Sequence, residues 1–424
     1  MNFDVAIVGG GMVGASFALA LRATKLQVLL IEGVPADSPS QPSFDQRTTA
    51  LGNGSRQIFE ALGVWSAMAS DAAPIRSIHV SDAGRFGIAR LDAREERVEA
   101  FGYVVPNRVI GRALWSALRD APNVTLAVPA KLVDATLRDD CVLLDITGEG
   151  AVWSDRTPRG ALSDGAPPGA TRVQAGVAVA ADGAGSVLRA SAGIGASVAD
   201  YEQVAIVVNA ATDRPHTGEA YERFTSSGPL AVLPMAGGGY TVVWAVAPAR
   251  AAELMALDEG AFASALLEAF GWRAGRWTRI GRRNTYPLSL SRAEEIVAGR
   301  VALIGNAAQA LHPVAGQGFN LGLRDAATLA EMLAGAEARA DDPESLRELL
   351  ARFAAWREED RRGVTRFTDG LIKLFGSDMP GVSLVRNFGL LMFDLSPAAK
   401  RALSRVSWGF AGRMPRLARG LTLG

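Results

Sequence analysis

The first 32 residues leave the fold little freedom. Asp4-Val5-Ala6-Ile7-Val8 is an apolar, β-branched run of the kind buried on both faces in a parallel sheet, and Gln27-Val28-Leu29-Leu30-Ile31-Glu32 repeats it. Between them, Gly9-Gly10-Gly11 and an uncharged helix-like stretch reaching Arg22 complete a strand-turn-helix-strand unit. The spacing Gly9-x-Gly11-x-x-Gly14 falls where the first strand opens into the helix, the place at which glycines let the backbone approach a pyrophosphate. Glu32 follows Gly14 by 18 residues and ends the second strand, where a carboxylate accepts hydrogen bonds from both ribose hydroxyls of an adenosine. A 2′-phosphate would be repelled there, so the unit points to FAD or NAD rather than NADP.

Composition removes other classes. The length of 424 residues suits two or three units, and 44 basic residues balance 44 acidic ones, so the electrostatic footprint of a nucleic-acid partner is absent. A hydrophobic fraction of 49% excludes a mostly disordered chain. Cys141, the single cysteine, cannot form an internal disulfide, and with only His79, His216 and His312 beside it the ligand set for a metal is poor. We expect a reducing compartment, a cytoplasmic protein and no metal. The uncharged run 5–21 follows Asp4 rather than a basic residue and is punctuated by glycines, while the run 301–323 carries Asn306, Gln309, His312, Gln317 and Asn320; neither is expected to be a signal or a bilayer span.

Further along, the pattern predicts a helix over 109–118, a meander of short strands over 124–128, 132–137 and 141–146, and a strand over 173–180. The Gly- and Pro-rich stretch 147–170 reads as an irregular connection. Alternation between 203 and 246 predicts an antiparallel sheet of different texture from the start, and the chain reads as mostly helical after Arg324. Two more Gly-rich turns follow strands. One is Asp182-Gly183-Ala184-Gly185-Ser186; the other is Gly305-Asn306-Ala307-Ala308, continued by Gly316-Gln317-Gly318-Phe319-Asn320-Leu321-Gly322.

In this order, the three segments resemble those of the flavoprotein aromatic hydroxylases that share the fold of p-hydroxybenzoate hydroxylase. Asp45-Gln46-Arg47-Thr48-Thr49-Ala50-Leu51 and Gly228-Pro229-Leu230-Ala231-Val232-Leu233-Pro234 narrow the likeness to the branch serving ubiquinone biosynthesis. Most relatives read Gly-Asp where this chain has Gly305-Asn306, and the string from Gly305 to Pro313 looks most like the 2-polyprenyl-6-methoxyphenol hydroxylases. The likeness implies an α/β fold with a Rossmann-like FAD-binding domain, an inserted antiparallel-sheet substrate domain and a helical C-terminus. The expected division is a discontinuous FAD-binding domain of residues 1–72, 104–190 and 285–350, a substrate-binding sheet domain of 73–103 and 191–284, and a helical region of 351–424.

The same likeness implies the chemistry: NADPH or NADH reduces FAD, dioxygen forms a flavin C4a-hydroperoxide, and its distal oxygen hydroxylates the ring of a polyprenylated phenol. Gly9, Gly11, Met12, Val13 and Gly14 would hold the diphosphate and Glu32 the ribose. Asp182 and Gly183 would serve FAD and nicotinamide together. Gly305, Asn306, Pro313, Gly316, Gly318, Phe319 and Asn320 would meet the ribityl chain and flavin ring, with Arg47 near the flavin and Asn107 and Arg108 near the ribityl chain. Pro313, Gly316, Gln317 and Gly318 form the expected catalytic set: the proline shapes the oxygen-reactive face, and amides of 316–320 at a helix N-terminus supply positive potential to the flavin. His312 reads equally as a structural histidine beside a proline turn. Cys141 reads as an inert buried thiol, and Trp244 as a pocket or core residue.

After Asp394 the chain carries Lys400, Arg401, Arg405, Arg413, Arg416 and Arg419 among apolar residues and no acid. Such a tail fits docking at the inner face of a membrane or on a complex of the pathway. Three alternatives stand beside the main one. They are hydroxylation at another ring position or of a small aromatic acid, a flavin reductase or oxidase that forms no oxygenated product, and a catalytically silent flavin-binding scaffold.

Overall fold

The computed structural model describes residues 2–148, 152–153, 167–311, 316–335, 343–375, 394, 396 and 413–423. Parallel strands β8 (Val124–Val128), β2 (Val28–Ile31), β1 (Asn2–Val8), β12 (Thr171–Ala180) and β20 (Val301–Leu303) lie side by side in that order. One flank of β12 is shared, with β10 (Val142–Thr147) antiparallel along Thr171–Ala175 and β20 parallel along Ala178–Ala180. Beyond them, β9 (Lys131–Leu137) pairs with β10, β11 (Val152–Trp153) with β8, and β19 (Val297–Ala298) with β20. Ile7 sits between Leu30 and Val179, all three fully buried, as the β-branched runs require of a two-sided sheet.

Helix α1 (Met12–Ala20) carries no charge because its residues from Gly14 to Ala20 are all buried. It packs against α3 (Asn107–Arg119) and α7 (Gln317–Ala334), and α8 (Pro343–Phe375) lies on α7. The antiparallel strands β3 (Thr48–Gly52), β7 (Gly102–Pro106) and β4 (Ala73–Ile75) form a small sheet, and α2 (Asn53–Ala61) follows β3 directly.

The large second sheet runs β21 (Gln309–Ala310), β18 (Asn284–Ala293), β13 (Ala196–Thr212), β16 (Tyr240–Val246), β15 (Gly228–Pro234), β14 (Glu219–Thr225), β5 (Ser77–Asp82), β6 (Ile88–Asp92). It is antiparallel except where β5 runs parallel to β14, and β17 (Trp277–Ile280) adds to β13. Helices α5 (Pro248–Ala256) and α6 (Glu259–Phe270) cover one face, with Phe262 edge-on to Trp244 at 6.3 Å and Phe270 edge-on to Trp277 at 5.8 Å. Trp244 therefore belongs to the core of the helix-covered face.

Two expectations need correction. Residues 124–146 form no meander: β8 joins the far side of β2, because its apolar run is better buried in parallel pairing, and only β9 and β10 form a hairpin. Residues 413–423 are not helical beyond one 3₁₀ turn, Leu417–Arg419, which turns Leu417 and Ala418 into the core beside α2 and α7. Among the described residues, no helix is long and apolar enough to cross a membrane.

Candidate functional site

The glycine turn between β1 and α1 is built by close approach. Gly9 has φ +101°, and a Cβ there would meet the Ala181 carbonyl oxygen at 2.5 Å, at the end of β12; a Cβ on Gly14 would collide with the Gly9 carbonyl. No side chain caps α1, and its first turn holds no acid, so its N–H groups are left for an anion. Glu32, at the end of β2, accepts from Gly10 N at 2.6 Å and Val34 N at 2.8 Å, with the Gln41 amide at 3.4 Å. The carboxylate thereby pins the turn and keeps a lone pair for a further donor. Trp115 of α3 closes the turn from behind, its Nε1 donating to the Gly10 carbonyl at 3.1 Å.

The two later glycine segments arrive at the same edge. Asp182 follows β12; its Oδ2 accepts from Val187 N at 2.9 Å, while its buried Oδ1 has no hydrogen-bond partner among the described residues, and burial pushes this carboxyl above its usual range. Gly183 beside it faces open space. Gly305 follows β20 and packs on Val13, and a Cβ on Gly322 would lie 2.8 Å from the Gly305 Cα, so α7 can close on the turn only through Gly322. Asn306 is exposed on this turn. Helix α7 begins at Gly316, left-handed at φ +60°, again with no side-chain cap and no acid in its first turn. Gly318 faces open space, and Phe319 stacks on Phe59 of α2 at 6.3 Å.

Asn320 is buried and fully engaged: Oδ1 accepts from Gly52 N and the Ser55 hydroxyl, and Nδ2 donates to the Ala50 and Gly316 carbonyls. Its side chain thus ties the start of α7 to the β3–α2 junction rather than reaching outward. Arg47 is likewise committed, donating to the Pro42 carbonyl at 2.8 Å, pairing with Asp45 at 2.6 Å and lying 4.6 Å over the ring of Tyr286 on β18. Asn107 is buried and accepts from the Thr49 hydroxyl at 2.7 Å. Arg108 is exposed. Gln317 is buried in the first turn of α7. Pro313 and His312 lie outside the described residues.

Several residues of this region escaped the sequence reading. The buried pair Asp325–Arg357 (2.7 Å) is one, with Asp325 Oδ2 reaching Gly305 N at 3.4 Å; Arg361 of α8 grips the Ala308 carbonyl and Gln309. Ion pairs on helices far apart in sequence leave no local pattern. Gly322, Trp115 and Tyr286 are others; the first stood in the glycine-rich string and was legible there.

Opposite the helix-covered face, part of the second sheet is only half-buried by the described residues. Directly paired residues share a face, so Glu222, Ala231, Val243 and Val207 form one row across β14, β15, β16 and β13. Each is only partly buried, whereas their neighbours Leu230, Val232, Val242 and Val208 are buried under α5 and α6. At the rim of this recess, Ala220 and Leu233 pack with Ala50, which touches Gly316, and Tyr286 donates to Asp45 at 3.2 Å. A separate cavity of about 570 Å³ opens at the β5–β6 edge, lined by His79, Arg90, Asp92, Glu219, Tyr221 and Arg273. Tyr221 and His79 place it on the α6 side, away from the glycine turns, and its mixed charges suggest no common ligand.

Two uncapped helix N-termini, glycines packed so closely that a Cβ would collide, and an orphaned buried oxygen fit a dinucleotide such as FAD lying along the cleft. Comparison with known proteins agrees. A family described as FAD binding domain is matched over residues 2–348. The chain is 35% identical to a ubiquinone hydroxylase of Rhodospirillum rubrum, covering 99% of this chain and 93% of that one. It is 31% identical to the 3-demethoxyubiquinol 3-hydroxylase of Escherichia coli, covering 96% and 98%. Among solved structures, p-nitrophenol 4-monooxygenase of Pseudomonas putida superimposes with a TM-score of 0.76 at 20% identity, over 97% of this chain and 99% of that one.

Proposed function

This chain belongs to the FAD-dependent monooxygenases of the ubiquinone-biosynthesis hydroxylase family, and from that premise we propose that it hydroxylates the aromatic ring of a polyprenylated phenol, 2-polyprenyl-6-methoxyphenol, at the expense of NADPH or NADH. The balance is one ring C–H, dioxygen, NADPH and a proton in, and one ring C–OH, water and NADP⁺ out. FAD, once bound, supplies the redox chemistry and the activation of oxygen. The protein's part is binding, orientation and exclusion of water.

We assign the diphosphate to the amides of Gly11, Met12, Val13 and Gly14 with Gly9 behind them, and the ribose to Glu32. Asp182, Gly183, Gly305 and Asn306 border the middle of the cofactor, with Asn107 and Arg108 on the α3 side. The amides of Gly316, Gln317, Gly318 and Phe319 are assigned to the flavin, and Asn320 and Arg47 brace the walls; Pro313 keeps only the role that the family resemblance implies. The observation that carries the reading is the apolar row Ala231, Val243 and Val207, only partly buried by the described residues on the sheet face where Ala220 and Leu233 pack with Ala50. A greasy, flat ring fits that floor, and a charged aromatic acid does not.

The test is aerobic NADPH oxidation by the FAD-loaded protein with a short-chain 2-prenyl-6-methoxyphenol, the product weighed by mass spectrometry. Stimulated turnover with one added oxygen is expected. Flavin bound without stimulation or product would retire this substrate. Another ring position is the second reading, favoured by the 31% identity to a protein named for 3-hydroxylation of demethoxyubiquinol; product with that substrate instead would establish it. We also assign the basic residues of 397–412 to contact with an anionic membrane at its cytoplasmic face, where a polyprenyl chain resides.

A further inference from the structure

Glu222 stands at the β14 end of the row that continues through Ala231, Val243 and Val207. Alternation along β14 puts it on the face of Ala220, which packs against Ala50 at the cleft, and its cross-strand neighbours are Val80 and Ala231. The side chain keeps some accessible surface while protein surrounds it on all sides, as in a side chain lining an internal recess. Among the described residues it has no hydrogen-bond or ion-pair partner. A carboxylate held this way in a purely structural role costs folding energy with no return.

Among the described residues no charged group pairs with Glu222. Asp82 ends β5 on the same face, and Asp45, Arg47 and Tyr286 engage one another at the opposite rim. Ala73, Ile75, Phe101 and Val104, from the small sheet and its approach, are apolar, and His79, Arg223 and Arg273 lie on the α6 side. Burial alone moves the Glu222 carboxyl, up to about 7.

We propose that Glu222 is the base that accepts the proton of the substrate's phenolic hydroxyl. The inference rests on the phenol reading of the preceding section. As the phenolic O–H bond breaks, a new O–H bond forms on the carboxylate; the electron pair stays on the phenolic oxygen and delocalises into the ortho and para ring carbons, the positions an electrophilic oxygen attacks. One negative charge moves from carboxylate to ring, and none is created in the recess. The proton returns to the product oxygen when the dihydroxylated ring leaves. A base that titrates near the working pH is suited to this transfer.

The experiment is equilibrium binding of short-chain 2-prenyl-6-methoxyphenol to the FAD-loaded protein without NADPH, from pH 5.5 to 9. If the phenol donates to the Glu222 carboxylate, binding releases about one proton below pH 7, so affinity rises close to tenfold per pH unit and then levels off above it. In Glu222→Gln, with flavin content unchanged, the profile should be flat. Turnover of that variant should fall by about 10² to 10³ and keep rising with pH toward the phenol's own ionisation. Wild-type affinity independent of pH, or the same profile in E222Q, would overturn the assignment while leaving the phenol reading intact. No binding at any pH would overturn both.

Discussion

Asn320 shows how a single amide can hold a binding edge together. All four of its hydrogen-bonding positions are filled at 2.7 to 2.9 Å, two by the donors Gly52 N and Ser55 Oγ and two by the carbonyls of Ala50 and Gly316. Asn320→Asp keeps the shape but turns an oxygen toward both carbonyls, leaving two buried acceptors unpaired and opposed. A loss of about 2 to 4 kcal/mol is expected, with weaker flavin retention, measured by thermal unfolding and by flavin content after gel filtration. Stability and flavin content equal to wild type would contradict this role. Asn306, which departs from the usual Gly-Asp, differs in kind: it is exposed, and its side chain makes no hydrogen bond among the described residues. Glu222 was hard to single out because one acid among Ala220, Tyr221 and Arg223 looks like any strand residue facing solvent; only the register across β15 and β16 reveals the recess above it.

Among the elements, α8 matters for the cleft although it never reaches it. Arg357, fully buried, bridges Asp325 of α7 and Asp360, and Asp360 also pairs with Arg324 at 3.2 Å. Through Asp325 this network reaches Gly305 N, and through Arg361 the carbonyl of Ala308. Asp325→Ala leaves two buried guanidinium groups, Arg324 and Arg357, to share the carboxylate of Asp360, and should cost about 3 to 5 kcal/mol. The double variant D325L/R357M should recover most of that stability yet bind FAD more weakly, since Gly305 N then loses its carboxylate partner; denaturant melts and flavin titration separate the two effects. Flavin affinity restored together with stability would mean the network only stabilises. The β1–α1–β2 unit and the turns after β12 and β20 were legible because parallel strands buried on both faces read as unbroken apolar runs, and glycines mark the turns. Strands β5 and β6 were not, because Ser77-Ile78-His79-Val80 and Ala89-Arg90-Leu91-Asp92 are half-exposed and polar on one side. For α5 and α6 the signals existed: Pro248 in the first turn, and Asp258 accepting from Ala261 N at 2.7 Å as the cap.

For the molecule as a whole, the proposed membrane contact has to be tested apart from the end of the chain that packs on the body. Residues 413–423 are anchored, with Leu417 and Ala418 buried, Trp356 Nε1 donating to the Arg413 carbonyl, and the Arg413 guanidinium 3.9 Å over the Trp356 ring. Truncating the whole tail would thus disturb the body, so the membrane contact is tested by Lys400→Gln, Arg401→Gln and Arg405→Gln together. Binding to vesicles rich in anionic lipid should weaken at least about tenfold, with flavin content unchanged; unaltered binding in a sedimentation assay would refute the contact. The strand order carries a further consequence, in time rather than in space. β1 ends at Val8, yet its partner β12 ends only at Ala180. At about 5 to 20 residues per second β1 waits roughly 9 to 34 s for that partner. During that interval the nascent chain presents β1 with one apolar edge unpaired, and chaperones have that long to decide its fate.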